Sequence, residues 1–185
     1  MESARKEGLL NQKGMVVWMV GLSGSGKSTL AQQLEKNLFE KGRLTMLLDG
    51  DNLRTGINKN LGFSDEDRIE NIRRAAEVSK LFAYNGIVTI CSLISPTDIV
   101  REMARKTIGD KYFEVFVDCP LEVCEKRDVK GLYHKARQGL IKDFTGIDSV
   151  FEAPQNADLV IDTSTNTIEE SVEKLLKAVL PLVKL

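Results

Sequence analysis

Residues 21–28 read Gly-Leu-Ser-Gly-Ser-Gly-Lys-Ser and match the pattern G-x-x-x-x-G-K-[ST] at every fixed position. The apolar run at 15–20 precedes this segment and predicts a buried strand, whereas 28–38 has the pattern of a helix. A loop in that setting binds phosphate, because its backbone amides and the helix N-terminus both face the oxygens. The alternative, a plain Gly/Ser-rich turn before a helix, is disfavoured by the full match and the correct flanks. We therefore predict that the chain binds a nucleoside triphosphate.

Each part of this phosphate loop has an expected role. Gly21, Gly24 and Gly26 allow the tight turns that aim successive amides at phosphate oxygens. Lys27 is expected to reach the β- and γ-phosphates, and Ser28 to bind Mg²⁺. We assign nucleotide binding to the whole loop, which consists of Gly21, Leu22, Ser23, Gly24, Ser25, Gly26, Lys27, Ser28 and Thr29.

The composition predicts one globular domain over residues 1–185. Of these residues 42% are hydrophobic and 29% charged, and the formal net charge of -1 predicts neither nucleic acid nor membrane as a partner. No apolar stretch approaches the roughly 20 residues that cross a bilayer, and the charged N-terminal segment does not resemble a signal peptide. Cys91, Cys119 and Cys124 lack a C-x-x-C spacing and lie in or beside apolar segments. We expect reduced interior thiols in a cytoplasmic protein, rather than a metal or redox site.

Apolar runs alternate along the chain with segments of helical period, which predicts a parallel sheet covered by helices on both faces. The clearest helices are expected over roughly 68–84 and from Ile168 to Val179. We expect a three-layer α/β fold with strand order 2-3-1-4-5 and ligands at the carboxyl ends of the strands. The five apolar runs lie at 15–20, 44–48, 87–91, 112–117 and 158–161.

Two long stretches, 50–67 and 128–157, lack a clear strand or long-helix pattern and are rich in Gly, Asp, Asn, Arg and Lys. Long connections of this kind in a compact domain are more often functional than passive. We expect substrate specificity there, with an acceptor loop over 50–71 and a closing lid over 127–150.

Two carboxylates, Asp49 and Asp51, follow the second predicted strand with a glycine between them. One could orient Mg²⁺ and the other could accept a proton from an attacking hydroxyl. A tight turn explains the same residues, but the phosphate loop favours the functional interpretation. We assign Asp49 to the metal with Ser28, and Asp51 to the hydroxyl.

Basic and aromatic side chains in the two stretches fit an anionic, planar acceptor. Arg68 and Asn71 are three residues apart and so share a helix face, and the arginine fork matches phosphate or sulfate oxygens. Phe63 and Phe144 could stack on a base or simply anchor their loops. Arg54, Arg73 and Arg74 belong to the same basic set, although a solvated helix face explains Arg73 and Arg74 equally well. The second stretch begins with a basic segment typical of a closing lid, in which His134 is expected to face solvent and which contains Lys126, Arg127, Lys130, Lys135 and Arg137.

Six blocks of sequence resemble the adenylylsulfate kinase family in their order and content. They are GLSGSGKST at 21–29, LDGDNLR at 48–54, LGFSDEDRIENIRR at 61–74, ISP at 94–96, KGLYHKAR at 130–137 and FTGIDSVFEAP at 144–154. The resemblance implies a P-loop kinase that transfers the γ-phosphoryl group of ATP to the 3'-hydroxyl of adenosine 5'-phosphosulfate (APS). It also allows a homodimer.

The resemblance implies a set of acceptor-binding residues. Phe63 and Phe144 would sandwich the acceptor adenine, while Arg127 would contact ATP. The equivalent of Ser95 has been labelled a phosphoserine intermediate in the family, but no base dedicated to Ser95 is visible, so we expect Ser95 to position the acceptor by hydrogen bonding. The residues whose equivalents surround APS are Asp51, Asn52, Arg54, Phe63, Arg68, Asn71, Ile94, Ser95, Lys130 and Phe144.

The chain departs from the family pattern at three places. Thr97 and Asp98 stand where an aromatic residue and an arginine are usual, Val129 replaces a proline at the lid, and only about 14 residues precede the first strand. Two other classes of protein carry the same kind of phosphate loop. A kinase of the same fold acting on a nucleotide or a sugar acid is the nearest alternative, and a GTP-dependent switch is a more distant one. The segment Asn58-Lys59-Asn60-Leu61 does not match the guanine motif N-K-x-D of such a switch.

Overall fold

The computed structural model describes residues 2–185 and contains a parallel sheet of five strands. The strand order is β2-β3-β1-β4-β5, which confirms the predicted order. Each observed strand lies within one residue of its predicted apolar run, because parallel strands buried on both faces give continuous apolar sequences. The strands are β1 (Met15–Val20), β2 (Thr45–Asp49), β3 (Val88–Ser92), β4 (Tyr112–Asp118) and β5 (Leu159–Asp162).

Within residues 2–185, eight α-helices connect or flank these strands. The helix predicted over 68–84 begins earlier, at Asp65, because the Ser64 hydroxyl caps it by accepting a hydrogen bond from the Asp67 backbone N–H at 3.2 Å. The two stretches that lacked a helical pattern each contain one helix of six residues, α3 and α7. The helices are α1 (Ser3–Leu10), α2 (Lys27–Glu40), α3 (Gly50–Thr55), α4 (Asp65–Ala83), α5 (Asp98–Ile108), α6 (Leu121–Arg127), α7 (Leu132–Arg137) and α8 (Ile168–Val183).

Strand β1 divides the apolar core into two layers, because successive side chains of a strand point to opposite faces. Val16, Trp18 and Val20 pack with α4 and α5 on one face. Val17 and Met19 pack with α2 and α8 on the other. All five of these side chains are completely buried, so β1 is the rigid support on which the phosphate loop is mounted.

The segment before β1 closes the amino-terminal end of the sheet. The fully buried Gln12 donates through Nε2 to the carbonyls of Leu44 (2.9 Å) and Gly86 (2.7 Å) and accepts from the Leu44 N–H at 2.7 Å. The Lys13 N–H donates to the Val183 carbonyl at the end of α8, at 3.0 Å. This end of the sheet is therefore sealed by protein, and the functional groups collect at the other end.

No helix within residues 2–185 is long and apolar enough to cross a membrane. The three cysteines are free and buried, in agreement with the prediction of interior thiols.

Candidate active site

A crevice of about 810 Å³ lies at the carboxyl ends of the strands. The phosphate loop forms one wall, and residues from α3, α4 and the loop after β3 form the opposite wall. Residues 127–133 and 144–145, which belong to the predicted lid, cover it from one side. The sheet thus brings the two irregular stretches and the phosphate loop to one place, as expected for an open α/β sheet.

The glycines of the phosphate loop are required by its backbone. Gly24 and Gly26 have φ angles of 76° and 98°, which residues with a side chain rarely adopt. A Cβ on Gly21 would lie 2.6 Å from the Val117 carbonyl oxygen, so the loop could not approach β4 as closely. The loop can therefore keep this shape only with glycine at these positions.

Lys27 is the first residue of α2, and its side chain is almost fully buried beneath the loop. Its ammonium donates to the carbonyls of Gly21 (2.9 Å) and Leu22 (2.7 Å). Burial lowers the pKa of Lys27 to about 8, although the nearby Asp49 carboxylate opposes the shift. The ammonium group is therefore held at the loop, and nearby negative charge only partly offsets the cost of burying its positive charge.

Ser28 and Asp49 lie side by side at the base of the crevice. The Ser28 hydroxyl donates to Asp49 Oδ2 at 2.7 Å and lies 3.2 Å from the Ser92 hydroxyl. The other oxygen of Asp49, Oδ1, accepts from the Asp51 N–H at 3.0 Å and caps α3. A hydroxyl and a carboxylate at this distance are hard oxygen ligands of the kind that Mg²⁺ prefers, beside a loop that would hold phosphates.

Two arginines face the crevice from the acceptor loop. The Arg54 guanidinium stacks over the Phe63 ring at 4.3 Å and donates to the Gly62 carbonyl at 2.8 Å. Burial, followed by the charge of Arg68, lowers the pKa of Arg54. This mutual repulsion indicates a local excess of positive charge, which suits an anionic ligand.

Arg68 connects α4 to the lid. Its Nε donates to the Phe63 carbonyl at 2.9 Å, and one terminal nitrogen donates to the Thr145 hydroxyl at 2.8 Å. The other terminal nitrogen donates to the Asp143 carbonyl. The guanidinium plane is therefore fixed where the acceptor loop meets the lid.

Asn71 lies one helical turn beyond Arg68 on α4 and lines the crevice. Its Oδ1 accepts a hydrogen bond at 2.9 Å from Nδ2 of Asn58, a completely buried residue of the acceptor loop. This pair could not be predicted from the sequence, because it depends on the angle at which the loop meets α4.

The lid makes contacts with both walls of the crevice. Lys130 pairs with Asp51, which places a lid cation beside the carboxylate assigned to the hydroxyl. The Tyr133 hydroxyl donates to the Ser23 carbonyl of the phosphate loop at 2.9 Å, and Phe144 packs edge-on against the Tyr133 ring at 5.0 Å. The lid is therefore joined to the phosphate loop through Tyr133.

Arg127, at the end of α6, lies at the nucleotide side of the crevice. It donates to the carbonyls of Thr163 (2.5 Å) and Gly24 (3.3 Å), which are residues from two different loops. The segment after β5 was not predicted to be functional, although it follows the carboxyl end of a strand, which is where ligands are expected. Three of its residues line the crevice, namely Thr163, Asn166 and Thr167, and they are joined by Ile168 and Ser171 of α8.

Ser95 has a left-handed backbone conformation, with φ of 47°, in the loop after β3. Its Oγ accepts a hydrogen bond from the indole N–H of Trp18 at 3.0 Å, and its carbonyl accepts from Arg101 at 2.9 Å. Among the described residues, no histidine or carboxylate is hydrogen-bonded to its hydroxyl. This environment fixes the serine in position and does not activate it as a nucleophile.

Most residues predicted from the sequence line the crevice, but some lie elsewhere. Asn52 is exposed outside the crevice wall, and Ser25 is buried beneath the phosphate loop. Arg73 pairs with Glu70 on the exposed side of α4, which favours the solvated interpretation for Arg73. Arg74 also pairs with Glu70, but it donates to the Ile57 carbonyl at 2.9 Å and so holds the acceptor loop against α4. His134 is exposed, as expected. The predicted residues that line the crevice are Ser23, Gly24, Gly26, Lys27, Ser28, Thr29, Asp49, Asp51, Arg54, Phe63, Arg68, Asn71, Ile94, Ser95, Arg127, Lys130 and Phe144.

A phosphate loop that opens a helix beside a parallel sheet, and that faces arginines and aromatic rings across one crevice, defines a P-loop kinase acting on a small anionic acceptor. Comparison with known proteins identifies the family. Residues 13–162 match the model of the family described as Adenylylsulphate kinase, and the chain belongs to that family.

Individual relatives agree with this assignment. The chain is 60% identical over 179 residues to the adenylyl-sulfate kinase of Bacteroides fragilis, with 96% of this chain and 89% of the relative covered. It is 58% identical over 171 residues to the adenylyl-sulfate kinase of Clostridium kluyveri, with 92% and 86% covered. The solved structure of the Mycobacterium tuberculosis APS kinase CysC in complex with AMPPNP and APS has a TM-score of 0.87 and 47% identity, and covers 91% of this chain and 98% of that one.

Proposed function

We propose that the chain transfers the γ-phosphoryl group of ATP to the 3'-hydroxyl of APS, which yields 3'-phosphoadenosine 5'-phosphosulfate (PAPS) and ADP. The observation that supports this most directly is the crevice at the carboxyl ends of the strands. It has a phosphate loop on one wall and the pair Arg54 and Arg68 with Phe63 on the other, so two anionic nucleotides can meet within it. Membership of the adenylylsulfate kinase family supports the same reaction and acceptor.

ATP is bound by the phosphate loop and the elements beside it. The amides of residues 21–29 and the N-terminus of α2 receive its phosphates, and Lys27 contacts the transferring group. Arg127 and the segment after β5 flank the remainder of the nucleotide, which their position beside Gly24 supports.

Ser28 and Asp49 fit a bound Mg²⁺, since their oxygens are 2.7 Å apart beside the phosphate loop. The ion would neutralise charge on the β- and γ-phosphate oxygens. Ser28 and Asp49 act by holding these oxygen ligands on rigid elements, the start of α2 and the end of β2.

The acceptor occupies the wall formed by α3, α4 and the lid. Phe63 and Phe144 stack on its adenine, while Arg54 and Arg68 bind its phosphosulfate. Asn52 could join them only through movement of α3, because its side chain lies outside the wall. The remaining contacts come from Asn71, Ile94, Ser95 and Lys130.

Asp51 orients the acceptor hydroxyl and accepts its proton as the phosphoryl group is transferred. Asp51 is paired with Lys130 of the lid. Closure of the basic lid over both substrates excludes water, so the phosphoryl group reaches APS rather than solvent. Most of the acceleration comes from positioning and charge stabilisation.

The proposed activity is tested by incubating the purified protein with ATP, Mg²⁺ and APS and measuring ADP and PAPS. Stoichiometric formation of both products is expected, with little ADP formed when APS is left out. Efficient transfer to an unrelated nucleotide or a sugar acid, without transfer to APS, would instead favour another kinase of this fold. The buried free thiols also support a reducing compartment, the cytoplasm, as the location.

A further inference from the structure

Among the hydrogen bonds that join the acceptor loop to α4, one comes from a completely buried side chain, the amide of Asn58. Its backbone N–H donates to the Leu53 carbonyl at 2.8 Å, and its carbonyl accepts from the Leu61 N–H at 3.0 Å. Its side chain then donates through Nδ2 to Asn71 Oδ1 at 2.9 Å. Asn58 is completely buried, so it cannot itself contact a ligand in the crevice.

The direction of this hydrogen bond, in which Asn58 donates and Asn71 accepts, follows from the surroundings of the Asn58 side chain. The observed orientation leaves one buried oxygen, Asn58 Oδ1, without a partner. The reverse orientation would bury an NH₂ group with two donors in the same surroundings. Buried carbonyl oxygens without partners are better tolerated than buried N–H groups, so the Asn58 NH₂ faces Asn71.

The consequence for Asn71 is that its oxygen is already occupied. Its Nδ2 makes no hydrogen bond to any described residue, and it is not among the buried atoms left unpaired, so it has access to the crevice. Arg68, one turn along α4, and Arg54, on α3, present only donors as well. An asparagine with both orientations available could donate or accept, whereas Asn71 in this setting can only donate.

We infer that Asn58 is a positioning residue for the acceptor: by occupying Asn71 Oδ1, it fixes the Asn71 amide as a donor to an oxygen of the anionic substrate. This inference rests on the proposed function, because it assumes that APS lies against Arg54, Arg68 and Asn71. Asn58 acts on the substrate only through Asn71, so a list of substrate contacts would not include it. This role also explains why the polar side chain of Asn58 is completely buried.

The Asn58→Asp variant tests the polarity directly. An ionised carboxylate accepts from Asn71 Nδ2, so the Asn71 amide turns and presents its oxygen to the substrate oxygens. Burial raises the pKa of such a carboxyl group, and the protonated form can again donate to Asn71 Oδ1. The measured quantity is the ratio of the variant's KM for APS to that of the wild type at the same pH. This ratio is expected to be about 10 at pH 8 and to approach 1 as the pH is lowered to about 5.5.

Three controls separate this effect from a general loss of structure. Asn60→Asp makes the same chemical change two residues along, on an exposed side chain whose partner is Arg74, and is expected to leave the KM for APS unchanged. Asn58→Ala removes the donor without adding a charge, so its KM for APS should be raised with no rescue at low pH. In an Asn71→Ala background, Asn58→Asp should lose its pH-dependent effect.

A KM for APS that is unchanged in both Asn58 variants would overturn the inference, as would an equal rise in the KM for ATP or a rise in Asn58→Asp that persists at low pH. If Asn58→Asp does not fold, Asn58→Ala tests the inference, because the inference requires its KM for APS to rise more than its KM for ATP. Failure of the wild-type protein to form PAPS counts against the proposed function instead. In that case the dissociation constant of APS, measured by calorimetry on the same variants, still decides the role of Asn58.

Discussion

Lys27 is already fixed at the phosphate loop by the carbonyls of Gly21 and Leu22. Lys27→Ala is expected to lower phosphoryl transfer by about 10³-fold or more, because it removes the charge nearest the transferring group. The rate is measured in the ATP and APS assay, and the thermal unfolding midpoint checks that the fold is retained. A variant with near-normal turnover and an intact fold would contradict the role assigned to Lys27.

The lowered pKa of Lys27 predicts that ATP binding takes up a proton in alkaline solution. Burial lowers this pKa to about 8, so above pH 8 the amine of the free enzyme is mostly neutral. Bound phosphates stabilise the cation and raise the pKa, so a proton is taken up on binding. The number of protons taken up is measured by calorimetry of the binding of a non-hydrolysable ATP analogue at pH 9, in buffers of different ionisation enthalpy. Lys27→Met should show much less uptake, and proton release by the wild type would show the sign to be wrong.

The Asp51→Asn variant tests which of the two carboxylates, Asp51 or Asp49, accepts the proton and which binds the metal. An amide cannot accept the hydroxyl proton, so we expect ATP binding to be kept and most turnover with APS to be lost. Because Asp51 also pairs with Lys130, Lys130→Ala is the matched variant, and it should raise the KM for APS while lowering kcat much less. If Asp51→Asn is active and Asp49→Asn is not, the two carboxylates have the opposite roles.

At the scale of elements, Arg68 joins α4 to the lid through Thr145 and Asp143. Arg68→Ala is expected to raise the KM for APS far more than that for ATP, since a charged contact to the acceptor is worth about 1.5–3 kcal/mol. Arg73→Ala on the same helix is the control, because Arg73 pairs with Glu70 outside the crevice. Equal effects of Arg68→Ala on both substrates would exclude it as an acceptor ligand.

The strands could be placed from the sequence because each reads as a short, mainly apolar run, and the three central strands, β1, β3 and β4, are almost completely buried. Helices α3 and α7 could not, since six residues are fewer than two helical turns and carry no readable period. Within the site, the phosphate loop and the arginines follow from motif and chemistry. The Asn58–Asn71 and Trp18–Ser95 bonds do not, because each joins residues whose distance depends on how complete elements pack.

At the scale of the whole molecule, the proposed binding of both substrates in one crevice favours direct transfer. No histidine or carboxylate among the described residues is hydrogen-bonded to the Ser95 hydroxyl, which argues against a phosphoserine intermediate. We expect that γ-labelled ATP without APS leaves no stoichiometric acid-stable label on the protein, and that Ser95→Ala is impaired but active. A label on Ser95 that passes into PAPS at the turnover rate would refute direct transfer.

The hydrogen bond from Lys13 to Val183 has a practical consequence for experiments. It brings the entry into β1 next to the end of α8, and β1, with six residues, separates that point from the phosphate loop by about 20 Å. A fluorophore, affinity tag or surface tether attached at this end would therefore be carried by the rigid base of the sheet. Single molecules immobilised in this way would keep the lid free to open and close, so its motion could be followed during turnover.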